Sequence, residues 1–307
     1  MNQLLSREIK MKETFHYPVM HREIIELLDV KNKKIIVDCT AGLGSHAAKF
    51  AEIMRPDSYY IGIDKDEESL KMVSARLNKS SVKFDLIKGD FANVDNILKN
   101  LGIGKADVFL FDLGISTYQL MDPERGFSFV KEGPLDMRMD RAAFISAYDL
   151  VNNLSEFELE NIFKKFGEER YAKRVARVLI EKRQREPISS TTQLTQAILS
   201  AMPATAFKYK IHPATRVFQA LRIAVNRELE VLKMGIDKAV NLLAQGGRIG
   251  VISFHSLEDR IVKHAFREFD SRGVLKIVTK KPITASKEEL GENIASRSGK
   301  LRVAEKI

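Results

Sequence analysis

From Lys34 to Asp112 the chain alternates short apolar runs with amphipathic stretches, the rhythm of βα units. Lys34-Ile-Ile-Val-Asp38 reads as a buried strand, and Tyr59-Tyr-Ile-Gly-Ile-Asp64, Val82 to Ile87 and Asp107-Val-Phe-Leu-Phe-Asp112 read as the strands that follow it. Ser45 to Met54, Glu67 to Leu77 and Val94 to Leu101 read as the helices between them. Strands joined by helical crossovers imply a parallel sheet. After Gly114 the period changes, and from Ala142 to about Met202 apolar residues recur at three and four spacing, as in helices. Pro187 interrupts that stretch, and the Ser and Thr hydroxyls between Ile188 and Thr192 can cap a following helix. Val217 to Leu243 then reads as one long helix. Gly247 to Ser253 is predicted as a fifth core strand, Leu257 to Phe269 as a helix, and Leu275 to Thr279 and Leu301 to Ala304 as late edge strands. The predicted class is α/β, a doubly wound sheet carrying a helical domain inserted between its fourth and fifth strands. The expected boundaries are residues 1–118 with 213–307 for the sheet domain and 119–212 for the insert.

Composition narrows the function classes. A chain of 307 residues with 44% hydrophobic content can bury a large core, which excludes a disordered protein. No apolar run is long enough to span a bilayer, and Met1 to Lys12 is polar with no signal-peptide core, so a cytoplasmic location is expected. The single cysteine, Cys39, has no internal disulfide partner, and no Cys/His cluster has zinc-ligand spacing, so no metal is expected. A net charge of +9 favours a polyanionic partner; nucleic acid fits better than a membrane surface, because the termini show no basic amphipathic anchor.

The chemistry concentrates where predicted strands give way to helices. Asp38-Cys-Thr-Ala-Gly42-Leu-Gly44-Ser45-His46-Ala47 is a glycine turn that lets backbone approach a nucleotide-like ligand. Gly42, Gly44 and Ala47 also satisfy the dinucleotide fingerprint, so the turn alone does not separate NAD from S-adenosylmethionine. Asp64, ending the second strand, is placed to accept both ribose hydroxyls of either cofactor. Asp38 and Gly89-Asp90-Phe91 tilt the reading to S-adenosylmethionine, with Phe91 either on the adenine or in the core. Asp112 ends the fourth strand, followed by Tyr118 and Gln119, and could hold the N–H of an exocyclic amine so that its lone pair points at a methyl donor. A turn cap is the structural alternative for Asp112. Such an amine has to be unpaired or flipped, and Tyr118, Phe127 and Phe129 are candidates to stack on it or to pack the insert.

Taken together, His16-Tyr-Pro-Val-Met20, Asp122-Pro-Glu-Arg-Gly-Phe-Ser-Phe129, Gly133-Pro-Leu-Asp-Met-Arg-Met-Asp140, Gly167 to Arg174, His212 to Arg222, Ser253 to Arg260 and Arg297 to Glu305 resemble the bacterial MraW (RsmH) family of small-subunit ribosomal RNA methyltransferases, which modify cytosine N4 at the decoding site. The resemblance covers nearly the whole chain. It implies a Rossmann-like class I methyltransferase sheet, S-adenosyl-L-methionine as cofactor, and contacts from Gly44, Ser45, His46, Asp64, Phe91, Asp112 and Gln119. Where the family loop reads Gly-x-Gly-Gly-His, this chain has Ser45, and Thr117 replaces the second of two serines after Ile115.

The substrate implied is small-subunit 16S ribosomal RNA or the assembled 30S subunit; oligomeric state is not legible in the sequence. Candidate substrate contacts are Tyr118, Asp136, Arg138, Arg174, Arg216 and His255. Asp136, Arg138 and Asp140 could instead pair locally, and His255 could be a structural, hydrogen-bonded histidine. Arg170, Lys173, Arg174, Arg177, Lys182, Arg183 and Arg185 could meet phosphates, with Pro213 to Asn226 also gripping RNA. Two rival functions remain at this point: an RNA-binding assembly factor that keeps the fold, and a nicotinamide-dependent oxidoreductase.

Overall fold

The computed structural model describes residues 17–208 and 211–307; the polar start of the chain, His16, Tyr209 and Lys210 lie outside the described residues. The chain forms two compact units, one of the described residues up to Ser116 with Leu229–Ile307, the other of Thr117–Glu228.

In the first unit, β1 (Ile35–Asp38), β2 (Tyr59–Asp64), β3 (Lys83–Lys88), β4 (Ala106–Asp112), β5 (Leu243–Ser253), β6 (Leu275–Ile277) and β7 (Lys300–Lys306) make one sheet in the order β3-β2-β1-β4-β5-β7-β6. β1 to β5 run parallel, and β7 is antiparallel to both β5 and β6. β7 is therefore an interior strand rather than the expected edge, and its Leu301, Val303 and Ala304 are buried. Period-2 alternation along β4 serves both faces. Phe109 and Phe111 join α4 (Val94–Asn100), α11 (Glu228–Leu242) and α12 (Ser256–Ser271) on one side. Val108 and Leu110 join α1 (His21–Leu27), α2 (Ser45–Ala51) and α3 (Glu67–Leu77) on the other. A strand buried on both faces has to be apolar throughout, which is why Asp107-Val-Phe-Leu-Phe is legible from sequence.

The second unit holds α5 (Thr117–Met121), α6 (Ala147–Asn153), α7 (Glu156–Gly167), α8 (Ala172–Arg183), α9 (Thr191–Ala201) and α10 (Thr215–Asn226). Ser146, Ser155 and Ser190 each close a capping box, with Asp149, Glu158 and Gln193. The long helix expected from Val217 to Leu243 is two helices. Arg227, with φ of 51°, stops α10 in the left-handed region, and α11 starts anew. The C-terminal limit of the helical unit is accordingly Glu228 and not 212. α10 crosses α7 so closely that a Cβ on Gly167 would lie 2.5 Å from the Arg216 carbonyl oxygen, which holds α10 within this unit. Among the described residues, no helix is long and apolar enough to cross a membrane.

The central strand sets a stability prediction. Phe109 is fully buried, so Phe109→Ala is expected to lose about 3 to 5 kcal/mol in a urea-unfolding measurement. A loss below about 1 kcal/mol would contradict a close-packed core on that face.

Candidate active site

The strand order reverses between β1 and β4, and the crevice at the carboxyl ends of such a pair is where open α/β sheets receive ligands. The loop after β1 continues the sheet's pairing on both sides: Cys39 N donates to Leu110 O at 2.8 Å and Ala41 N to Ile63 O at 2.9 Å. It then turns through Gly42 and Gly44, both with positive φ, and α2 begins at Ser45. A Cβ on Gly44 would lie 3.1 Å from the Val73 Cα, so glycine is demanded there by space as well as by backbone. Ser45 lies in the helix, outside the left-handed residues, so the serine standing where the family has glycine strains nothing.

Asp38 is a strut for this loop. Its Oδ1 accepts from Thr40 N at 3.1 Å and its Oδ2 from the Tyr60 hydroxyl at 2.9 Å. Burial pushes its carboxyl above the usual range, against the opposing effects of nearby His46 and of those hydrogen bonds. Asp64 is half-buried; Gly42 N donates to its Oδ2 at 2.7 Å and Asp66 N to its Oδ1 at 2.8 Å. Each oxygen keeps a further lone pair, so the carboxylate can accept two hydroxyls without giving up either backbone bond. Burial raises Asp64 to about 6, outweighing those backbone donors.

At the end of β4 the backbone N–H of Asp112 donates to the Thr40 hydroxyl oxygen at 2.6 Å. Asp112 Oδ2 lies 3.4 Å from His46 Nε2, in an orientation that makes no hydrogen bond, while Asp112 Oδ1 is buried without a partner among the described residues. The Ser45 hydroxyl and both His46 ring nitrogens are also buried without hydrogen-bond partners among those residues. Unpaired buried polar atoms are costly, and four residues of one crevice edge carrying them or free acceptor capacity, Ser45, His46, Asp64 and Asp112, suit a polar ligand. The donor set fits S-adenosylmethionine, whose ribose hydroxyls need acceptors and whose sulfonium is cationic.

The other expected residues are distributed differently. Phe91 packs edge-on to Phe111 at 5.3 Å, and a Cβ on Gly235 would meet its ring at 2.5 Å, so the core accounts for it. Tyr118 and Gln119 lie on α5 of the helical unit, Gln119 buried. Phe127 is buried, and Phe129 stacks on His212 at 4.6 Å and meets Phe218 edge-on, so these two rings are packing residues of the helical unit and not an open platform. Arg138 grips Asp136 with two 2.7 Å bonds and the Ala143 carbonyl with a third. Burial alone would raise Asp136, but Arg138 outweighs it and holds that carboxyl low. The pair is thus a local clamp, in place of the pocket wall that was one of its expected roles. His255 Nδ1 accepts from Glu258 N at the start of α12, while its Nε2 is buried without a hydrogen-bond partner among the described residues. Arg174 is exposed on α8 beside Lys173, and Arg183 is tied to the Val151 carbonyl at 2.7 Å. Arg216 is exposed and lines a cavity of about 240 Å³ with Tyr171 and His212, a feature that sequence periodicity did not reveal.

Acids at the ends of β1, β2 and β4 around a glycine turn, on a sheet whose antiparallel β7 sits between β5 and β6, define a Rossmann-like S-adenosylmethionine-dependent methyltransferase. The dinucleotide-binding order 3-2-1-4-5-6 has no such strand, and the nicotinamide reading falls with it. The chain belongs to the MraW methylase family, which it matches over residues 13–307. It is 47% identical over 292 residues to "Ribosomal RNA small subunit methyltransferase H" of Persephonella marina, covering 95% of this chain and 99% of that one. It is 45% identical over 307 residues to the protein of the same name from Halothermothrix orenii, covering 95% and 98%. The Trichlorobacter lovleyi protein of that name is 45% identical over 312 residues, covering 97% and 100%.

The loop geometry separates two neighbouring substitutions. Gly44→Ala is expected to cost about 1 to 3 kcal/mol of stability through left-handed strain and contact with Val73. Ser45→Gly is expected to change it by less than about 1 kcal/mol. Equal losses in the two unfolding curves would refute this account of the turn.

Proposed function

We propose that this protein transfers a methyl group from S-adenosylmethionine to the N4 amine of a cytidine in the decoding region of small-subunit ribosomal RNA. The names of the relatives support ribosomal RNA as the substrate class. The observation that carries the chemistry is the Asp112 carboxylate at the end of β4, one oxygen of which is buried without a partner. A cytosine amine has its lone pair delocalised into the ring, and an acceptor on its N–H helps localise that pair towards the incoming methyl.

In this reading the backbone of Gly44, Ser45 and His46 lines the cofactor, and Asp64 accepts the ribose hydroxyls. The cofactor supplies an electrophilic methyl when bound. Asp112 Oδ1 accepts the amine N–H, aligns nitrogen with methyl, and would take the proton released as the N–C bond forms and the methyl–sulfur bond breaks, the sulfonium leaving as the neutral thioether. Alignment of this kind supplies most of what a direct displacement needs. A nitrogen target is favoured over the ring carbon. Carbon methylation calls for a thiolate nucleophile, and Cys39, the only cysteine, is buried with its thiol pushed well up by that burial. Lys173, Arg174 and Lys182, exposed along α8, and Arg216 on α10 suit phosphate contacts. An assembly factor without turnover is the less favoured reading, because it gives Asp112 no task.

The deciding experiment is transfer from labelled S-adenosylmethionine to undermethylated small subunits and to their extracted RNA, with nuclease digestion and mass spectrometry. N4-methylcytidine at one decoding-region position is the expected product; a methyl on carbon, or on another base, would overturn the assignment. Asp112→Ala is expected to reduce turnover by about 100-fold or more while the fold persists. Wild-type rates in that variant would remove Asp112 from the mechanism.

The raised Asp64 makes a pH prediction with two opposite signs. Its folded-state value, about 6, exceeds the usual carboxylate value. Its protonation therefore favours the folded cofactor-free protein at low pH, a contribution full below about 4 and lost as pH rises through about 6. Cofactor binding needs the ionised acceptor, so affinity is expected to fall as pH drops through about 6, and Asp64→Asn should flatten that profile. Calorimetric titration from pH 5 to pH 8 reads the affinity and urea unfolding from pH 4 to pH 7 the stability; a wild-type affinity independent of pH would contradict the role given to Asp64.

A further inference from the structure

His46 opens α2 with its side chain turned inward, only 6% exposed, its ring tilted against Phe50 with centroids 6.1 Å apart. Neither ring nitrogen has a hydrogen-bond partner. A buried polar atom left unpaired is costly, so an imidazole kept in this state answers to something other than packing. Cofactor contact by the loop's backbone does not require the ring at all.

The charged groups around the ring are Asp38 from the end of β1, Asp112 from the end of β4, His21 from α1 and Glu289 from α13 (Lys287–Glu292). Both Asp38 oxygens are already engaged, by Thr40 and Tyr60, and Glu289 Oε1 accepts from Met20 N at 2.7 Å. Asp112 is different: its backbone is pinned by Thr40, yet its carboxylate has no hydrogen bond, and its Oδ2 lies nearest His46 Nε2 at 3.4 Å.

We propose that His46 is the positioning residue of the methyl-transfer site: its Nε2–H holds Oδ2 of Asp112 and thereby presents Oδ1 to the substrate amine. The inference rests on the function proposed above. A charge-assisted N–H···O bond closes at about 2.7 to 2.9 Å, and hydrogen bonds of catalytic groups are often longer in the empty site and tighten once it fills. With one oxygen held, the carboxylate cannot rotate to offer its other lone pairs, so the amine is met from one direction only. Thr40 fixes the Asp112 backbone and His46 fixes its side chain, and both partners come from the β1–α2 segment that forms the cofactor loop.

The test compares His46→Leu, which removes the donor, with His46→Gln, whose amide nitrogen reaches roughly the place of Nε2. At saturating cofactor the Leu variant should lose about 10- to 100-fold in single-turnover rate, with the cofactor Kd within about threefold of wild type; Gln should recover most of the rate. A second readout needs neither substrate nor turnover: in the protein saturated with S-adenosylhomocysteine, the imidazole 15N resonances of His46 should shift at Nε2 in Asp112→Asn. A cofactor affinity that falls as far as the rate in the Leu variant would make His46 a direct cofactor contact and overturn the proposal. Unchanged turnover in that variant, or an Nε2 resonance indifferent to Asp112→Asn, would overturn it as well. Should the wild-type protein methylate no RNA, the function above fails, while the 15N resonances still decide the pairing of His46 with Asp112.

Discussion

The hydrogen bond from the Asp112 backbone to the Thr40 hydroxyl, 2.6 Å long, joins the carboxyl ends of β1 and β4 at the point where the strand order reverses. Neighbouring parallel strands separate beyond their last ladder bond, and a crevice opens there. Left unbridged, the two ends would be free to move apart with the loops they carry. The tie instead fixes the acid of β4 to the loop of β1, and Cys39 N to Leu110 O extends the same pairing by one more step. Asp38 braces the loop from beneath through Tyr60 on β2, so strands on both sides of β1 define where Gly42 and Gly44 turn. The geometry of the site is thereby set by the sheet, whose order is stabilised over its whole buried area, and not by the loop's own weak preferences.

That rigidity has an energetic counterpart. Asp38, Asp64, Asp112 and His46 gather around one strand–helix junction, with burial raising Asp38 and Asp64 above ordinary carboxylates. An acidic, partly dehydrated crevice is unfavourable when empty and becomes favourable when a cation enters it. Such local inconsistency between stability and sequence is usual where a ligand is meant to complete the structure. The acids also differ in access: Asp38 and Asp64 each take one donor on each oxygen, but Asp38 is buried and braces the loop while Asp64 is half-buried with lone pairs to offer, and Asp112 Oδ1 has no partner among the described residues.

The sheet was legible because buried parallel strands must be apolar on both faces, and β1, β2 and β4 read as such runs ending in Asp, while β3, with no buried residue, was found by its short apolar core between polar ends. Periodicity failed where one residue decides. The apolar spacing continues through Arg227, but a left-handed backbone at that position breaks the helix, and no side-chain pattern announces it in an arginine. The interior place of β7 was hidden for another reason. An antiparallel strand returning from the chain's end gains its neighbours from far away in sequence, and the stretch read as strand, Leu301 to Ala304, is only part of its seven residues. In the site, strand-end acids and glycines were found by type and spacing. The Asp112–His46 approach and the Tyr60–Asp38 bond were not, since they arise from where two strands and a helix start converge.

The motif-rich segment between Asp122 and Asp140 shows how a family signature can be read too chemically. Gly126 has φ of 67°, and a Cβ on it would strike the Pro134 carbonyl oxygen at 2.2 Å; one on Gly133 would strike that of Pro123 at 1.9 Å. Arg125 donates to the carbonyls of Arg138 and Met139, and the Asn226 side chain ties Met137 O and Met139 N. The charged residues of these motifs therefore satisfy backbone that helices and strands do not serve, which a loop of this length must do somehow if it is to be ordered. Their residue types are constrained as tightly as catalytic ones would be, yet by hydrogen-bond geometry within the helical unit. Separating the two kinds of constraint takes one question asked of each polar atom, whether its partner is already present. By that criterion Asp112 stands out among the carboxylates: among the described residues its Oδ1 is buried without a partner, beside the Ser45 hydroxyl, both His46 ring nitrogens and His255 Nε2 of the same unit.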